Sequence, residues 1–152
     1  MRTKKKHLIY ISVSRNQINS PEYIKILNLA KCLGKRYNCR IERSDLRIKN
    51  YDLLSKSLYS KTKRAFIVFV VCQNNIVDEF QYFEVATALV NNIKTLILDS
   101  KTNTLYSVKN FKVNPNKVNN KFWNLIISNE PVFINKLKIN QKNKSYGKFR
   151  KQ

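Results

Sequence analysis

At 152 residues and 18.0 kDa the chain is long enough for one domain that buries roughly two thirds of its unfolded surface, and too short for a second. Thirty Lys and Arg stand against nine Asp and Glu, a formal net charge of +21, while 43% of the residues are hydrophobic and 11% aromatic. That balance excludes a chain that is disordered throughout, and the longest apolar run, residues 65–72, is too short to span a membrane as a helix.

Residues 1–6 hold Lys4, Lys5 and Lys6 and no apolar signal core, so the expectation is a chain used where it is made or one whose targeting segment has been removed. Residues 7–13 are β-branched and aromatic enough for a buried strand, and the polar stretch 14–20 reads as a loop. Ser20 as cap, Pro21 at the first helical position and Glu22 in the first turn then start a helix. Ile26, Leu27, Ala30, Leu33 and Tyr37 recur on one face of it. Residues 39–46 predict a second strand and residues 51–59 a short helix. The apolar run 65–72 lacks alternation, as a strand covered on both faces requires. A helix over residues 78–90, a buried strand over 95–99 and a helix over 117–127 follow.

Strand alternating with helix four times predicts an α/β fold with a doubly wound, mostly parallel sheet, flavodoxin-like or Rossmann-like. Residues 1–135 form the expected single α/β domain. Residues 136–152, with seven basic and no acidic side chains, read as a basic tail that orders on a partner.

The charge is segregated: +13 over residues 1–76, −3 over 77–100 and +11 over 101–152. Charge of this density favours a polyanionic partner, with RNA or DNA first and a membrane surface second. The candidate phosphate-binding groups are Lys4, Lys5 and Lys6, the patch Lys35, Arg36, Arg40, Arg43 and Arg47, and the tail. In the tail Lys142, Lys144, Lys148, Arg150 and Lys151 interleave with Tyr146 and Phe149, which suits phosphate neutralisation together with stacking on unpaired bases. Each set also has a plain reading as a solvated edge or a solubility tail.

Other chemistry is short of material. With only Gly34 and Gly147 there is no phosphate-cradling glycine loop, so no nucleotide cofactor is expected. His7 is the only histidine, which leaves no Cys-His or Ser-His pair and no metal site. The odd set Cys32, Cys39 and Cys72 argues against a disulfide framework and against a disulfide-linked partner.

Asp78 and Glu84 lie six residues apart at and within the helix after the central strand, beside the carboxyl ends of strands where such folds bind ligands. This spacing resembles that of nucleoside 2-deoxyribosyltransferases and TIR-type nucleotide-cleaving domains over residues 7–99. The resemblance implies Glu84 as catalytic residue and Asp78 as its helper. The family's Gly-rich turn is replaced by Ser12, Val13, Ser14, Arg15 and Asn16, and its Asp-Gly-Thr reads Asp78, Glu79, Phe80. The plain alternative makes Asp78 and Glu79 complements of the helix dipole and Glu84 a surface residue.

Residues 63–128 resemble the C-terminal half of the ribosomal small-subunit protein two family. The matching segments are a strand at 65–71, a strand at 92–99 running into a turn at 100–103, a loop at 111–116 in place of an aromatic-Pro-Ile-Pro-Gly-Asn segment, and a closing helix at 118–127. The helical-hairpin insertion and the glycines of that family are missing. The resemblance implies a shortened, organelle-type ribosomal protein that docks on rRNA and neighbouring ribosomal proteins without catalysis. Asn and Lys, 42 residues together, are the bias that AT-rich coding produces, in organelle genomes as in many bacteria, phages and parasites. The expectation is therefore a non-catalytic, rRNA-binding constituent of a mitochondrial small subunit, without a membrane span. The alternatives are a cytoplasmic location and a glycosidic-bond-cleaving enzyme built on Glu84 and Asp78.

Overall fold

The computed structural model of the chain describes residues 7–45, 51–99, 101–113 and 122–137. The described residues form an α/β fold with three α-helices and one mixed seven-stranded sheet. The elements in order are β1 (His7–Ser12), α1 (Pro21–Tyr37), β2 (Cys39–Arg43), α2 (Tyr51–Arg64), β3 (Ala65–Val70), β4 (Ile76–Val77), α3 (Glu79–Val90), β5 (Lys94–Asp99), β6 (Thr104–Val113) and β7 (Trp123–Val132). The sheet order is β2-β1-β3-β5-β6-β7-β4.

The four strands β2, β1, β3 and β5 are parallel, with His7 opposite Cys39, Leu8 opposite Ala65 and Ile67 opposite Lys94. From β1 the chain steps outward to β2, then back across to β3 and on to β5. Right-handed crossovers then place α1 on one face and α2 and α3 on the other. The side chains agree: Ile9, Ile11, Ile67, Phe69 and Leu96 pack with Ile26, Ala30 and Leu33 of α1, whereas Leu8, Val68, Val70 and Ile97 pack with Val85 and Ala88 of α3. Helix α2 contacts α3. Burial on both faces is why residues 65–71 show no alternation.

The predicted start of α1 is present: Ser20 Oγ accepts from the Tyr23 backbone N–H at 3.1 Å, with Pro21 behind it. The helix ends on Asn38 in the left-handed region, φ 58°, so that the chain turns directly into β2. Gly34 allows that approach, because a Cβ there would stand 3.0 Å from the Cys39 carbonyl oxygen.

Beyond β5 the sequence-based expectation fails. The helix expected over residues 117–127 is replaced, from Trp123 on, by the antiparallel strand β7, and residues 117–121 lie outside the described residues. β6, expected as no element at all, pairs β5 on one side and β7 on the other. The register explains the change: Leu125 is buried and Ile126 exposed, the two-residue period of a strand. The closing helix implied by the ribosomal resemblance over residues 118–127 is therefore a strand from Trp123 on. The sheet ends as an antiparallel extension instead of a fourth strand-helix repeat.

Candidate functional site

The parallel strands have two ends, and the candidate residues divide between them. At the carboxyl ends a polar cluster is sealed between β1, the end of β2 and α3. Glu84, in the second turn of α3, has no exposed surface, and Tyr10 and Ser12 of β1 have none either. The Tyr10 hydroxyl donates to Glu84 Oε2 at 2.5 Å, and the Ser12 hydroxyl donates to Glu84 Oε1. The Ser44 hydroxyl, just past β2, reaches both carboxylate oxygens at 3.0 and 2.8 Å and accepts from the Val13 N–H at 3.0 Å. Burial pushes the Glu84 carboxyl up to about 7, against the pull of its three hydroxyl donors. Burial and the Glu84 charge push the Tyr10 hydroxyl above its ordinary range.

Asp78 is the N-cap of α3. Its Oδ1 accepts from the Gln81 N–H at 2.9 Å, and the Gln81 side chain returns a contact to the Asp78 N–H, forming a capping box. Burial raises the Asp78 carboxyl above its usual value. The buried Gln81 amide also donates to the carbonyls of Ser12 at 3.2 Å and Val71 at 2.7 Å, tying α3 across the open ends of β1 and β3. The dipole-complement reading of Asp78 thus holds. The surface reading of Glu84 is overturned: Tyr10 and Ser12 stand on the strand face that α3 covers, and Glu84 is the acceptor they share.

Next to this cluster, at the carboxyl ends of β3 and β5, lies a cavity of about 350 Å³ lined by Cys72, Asn74, Asn75, Asp99, Lys101 and Tyr106 among others. Neither Glu84 nor its three donors line it. Burial pushes the Cys39 thiol up to about 11 and the Cys72 thiol up to about 12, which disfavours either as a nucleophile, and all three cysteines are free, Cys32 on the surface. No group of His, Cys, Asp and Glu able to hold a metal ion occurs among the described residues. No helix among them is long and apolar enough to cross a membrane.

Of the basic patch, Lys35 and Arg36 lie in the last turn of α1 and Arg40 lies early in β2, so these three share the amino end of the sheet. Arg43 stands at the other end of β2, exposed, with its guanidinium on the Ser44 carbonyl at 3.2 Å. Lys4, Lys5, Lys6, Arg47 and the tail residues Lys142, Lys144, Tyr146, Lys148, Phe149, Arg150 and Lys151 lie outside the described residues. Arg40 pairs with Glu42 at 2.8 Å, and Lys61 reaches the same carboxylate at 3.4 Å. Burial alone would raise Glu42, but these two cations outweigh it and hold the carboxyl low.

Sequence reasoning missed Tyr10, Ser12, Ser44 and Gln81 as partners of the candidate carboxylate, and it missed Lys61, Lys63, Arg64 and Lys94 as neighbours of the patch. A trace was present in the first group, because Tyr10 and Ser12 are polar positions in an otherwise apolar strand. Comparison with protein-family models, with curated proteins and with solved structures finds no match to this chain.

Proposed function

We propose that the chain is an RNA-binding structural protein, a ribosomal constituent of the mitochondrial small subunit that contacts rRNA and neighbouring ribosomal proteins. The observation that carries the reading is unneutralised charge. The chain has a net +21, and among the described residues Lys35, Arg36, Lys63, Arg64 and Lys94 are exposed with no carboxylate within ion-pairing distance. Such groups repel one another in a free protein, and RNA removes that cost while releasing counterions. The parallel half is read as a flavodoxin-like winding that serves as a rigid platform, on the strength of its strand order and its helices on both faces.

The test is sedimentation of the native protein from lysate, with and without ribonuclease and across a salt series. Co-migration with a ribosomal subunit, lost on ribonuclease treatment, is the expected result. A small species insensitive to ribonuclease overturns the ribosomal assignment.

A second reading is favoured by one observation, the carboxylate of Glu84 poised near neutrality where the chain reverses its winding direction between β1 and β3. In that reading Glu84 attacks the anomeric carbon of a nucleoside or nucleotide, the base leaves, and water or a second base takes the sugar. Ser12 or Ser44 must then move to admit substrate, because every Glu84 atom is covered. Release of free base from nucleosides, nucleotides or NAD, abolished in Glu84→Gln, is the expected sign. Release that persists in the variant removes Glu84 from the mechanism.

A further inference from the structure

We propose that the amino-end rim of the parallel sheet is the docking surface for an unpaired polynucleotide strand, an inference that rests on the RNA-binding reading above. The rim is where β1, β2, β3 and β5 begin, at His7, Cys39, Ala65 and Lys94. Four neighbouring strands cover about 14 Å at the usual spacing. Cations reach this rim from four separate stretches of sequence. Lys35 and Arg36 come from the last turn of α1, Lys61, Lys63 and Arg64 from the last turn of α2, Arg40 from β2 and Lys94 from the first position of β5.

No acidic residue occurs in the segments that build the rim, residues 7–9, 33–41, 60–68 and 91–97. The acids of the parallel half cluster at the opposite end instead: Glu22 in the first turn of α1, Asp45 past β2, Asp78 and Glu79 at the start of α3, and Asp99 at the end of β5. Glu42 is the exception, lying along β2 and already engaged by Arg40 and Lys61. The amino-end rim therefore holds cations without acids of its own, whereas the opposite end sets its acids among exposed cations such as Arg43 and Lys101.

Helix-dipole complementation explains part of this, since cations favour helix carboxyl ends. It does not explain Lys94 or Arg40, which are on strands, and α3 carries no basic residue in its last turn. Aromatic groups lie among these cations. Tyr59, one turn before Lys63, is 51% exposed, with the Lys63 ammonium 5.3 Å from its ring centroid. His7 and Phe66 meet edge to face at 4.3 Å. An exposed ring among cations, as Tyr59 is, suits unpaired bases, which stack, better than a duplex, which presents only its backbone and groove edges. The path of the chain points the same way. The Leu137 carbonyl, at the end of the described residues, accepts from the hydroxyl of Tyr37, the residue that follows Lys35 and Arg36, at 3.5 Å.

The test compares two triple variants of the full chain for binding to a short labelled single-stranded RNA and to its duplex, across a salt series. The rim variant carries Lys35→Glu, Arg36→Glu and Arg64→Glu, and the matched control carries Lys25→Glu, Lys101→Glu and Lys109→Glu, three exposed cations away from the rim. The rim variant should bind the single strand at least about 10-fold more weakly, with a salt slope smaller by about 2, while the control stays within about 3-fold of the wild type. Tyr59→Ala, which leaves the charge intact, should weaken single-strand binding about 5-fold and leave the salt slope unchanged. If a triple variant fails to fold, Lys94→Glu against Lys101→Glu makes the same comparison. Equal loss in both variants overturns the rim as the surface and leaves RNA binding standing. Failure of the wild type to bind either probe at low salt overturns the RNA-binding reading itself, and tighter binding of the duplex overturns the unpaired strand.

Discussion

The two ends of the parallel sheet handle charge in opposite ways. At the carboxyl ends one carboxylate, Glu84, is withdrawn from water and surrounded by three hydroxyl donors, and Gln81 closes the gap between β1 and β3. At the amino ends seven cations gather with one carboxylate among them, and most of them face solvent. The same feature of the fold underlies both. The helices run back from the carboxyl ends, so α1 and α3 deliver capped, acidic first turns to one end of the sheet, and α1 and α2 deliver basic last turns to the other. One end is therefore built to hold the fold together, and the other carries charge the fold does not need.

The contrast predicts large effects at the first end and small ones at the second. Glu84→Ala leaves the hydroxyls of Tyr10, Ser12 and Ser44 without their shared acceptor and opens a void, so it should cost about 4 kcal/mol in urea unfolding at pH 5. A loss below about 1 kcal/mol would mean that the cluster does not tie α3 to the sheet.

The pH dependence sharpens the same point. The Glu84 carboxyl sits near 7 in the fold, against 4.5 for an ordinary glutamate. Below 4.5 the group is neutral folded and unfolded, and its burial carries no ionic penalty. As pH rises from 4.5 to 7 the unfolded chain ionises first, so stability falls across that window and levels off above 7. The loss is about 3 kcal/mol, and Glu84→Gln should lack it, so the stability difference between the two proteins should change by that amount between pH 4.5 and 7.5. A parallel pair of pH profiles would place the Glu84 carboxylate in a polar environment instead.

Smaller effects follow. Asp78→Ala removes the cap of α3 and should cost about 1 kcal/mol, read as a lower unfolding midpoint. At the other end Arg40→Ala breaks a partly exposed pair with Glu42 and should cost less than about 1 kcal/mol, shrinking further in high salt. Should Arg40→Ala cost as much as Glu84→Ala, the division of the molecule into a structural end and an exposed binding end fails.

Much of the parallel half was legible residue by residue. Ser20 and Pro21 announce α1, Asp78 announces α3, and the unbroken apolar run of β3 announces a strand buried on both faces, because these signals act within a few residues of the positions they control. The antiparallel half was not. Residues 123–127 carry apolar groups that fit either a helix or a strand, and hydrogen bonds to β6, a partner ten or more residues away, decide for the strand. Glu84 was legible as a candidate from its spacing to Asp78. Its burial was not, because the Tyr10, Ser12 and Ser44 hydroxyls arrive from two other elements. Likewise Lys61 and Lys94 lie far in sequence from the patch that holds Lys35, and only the strand order sets them along one rim with it.

The sequence by itself determined the elements of the parallel half, the caps of α1 and α3 and the excess of positive charge, all properties of neighbouring residues and of composition. Only the tertiary structure decided where that charge goes and which carboxylate is removed from water. Those outcomes depend on the order and direction in which β2, β1, β3 and β5 pair, and hydrogen bonding between strands far apart in the chain sets that order.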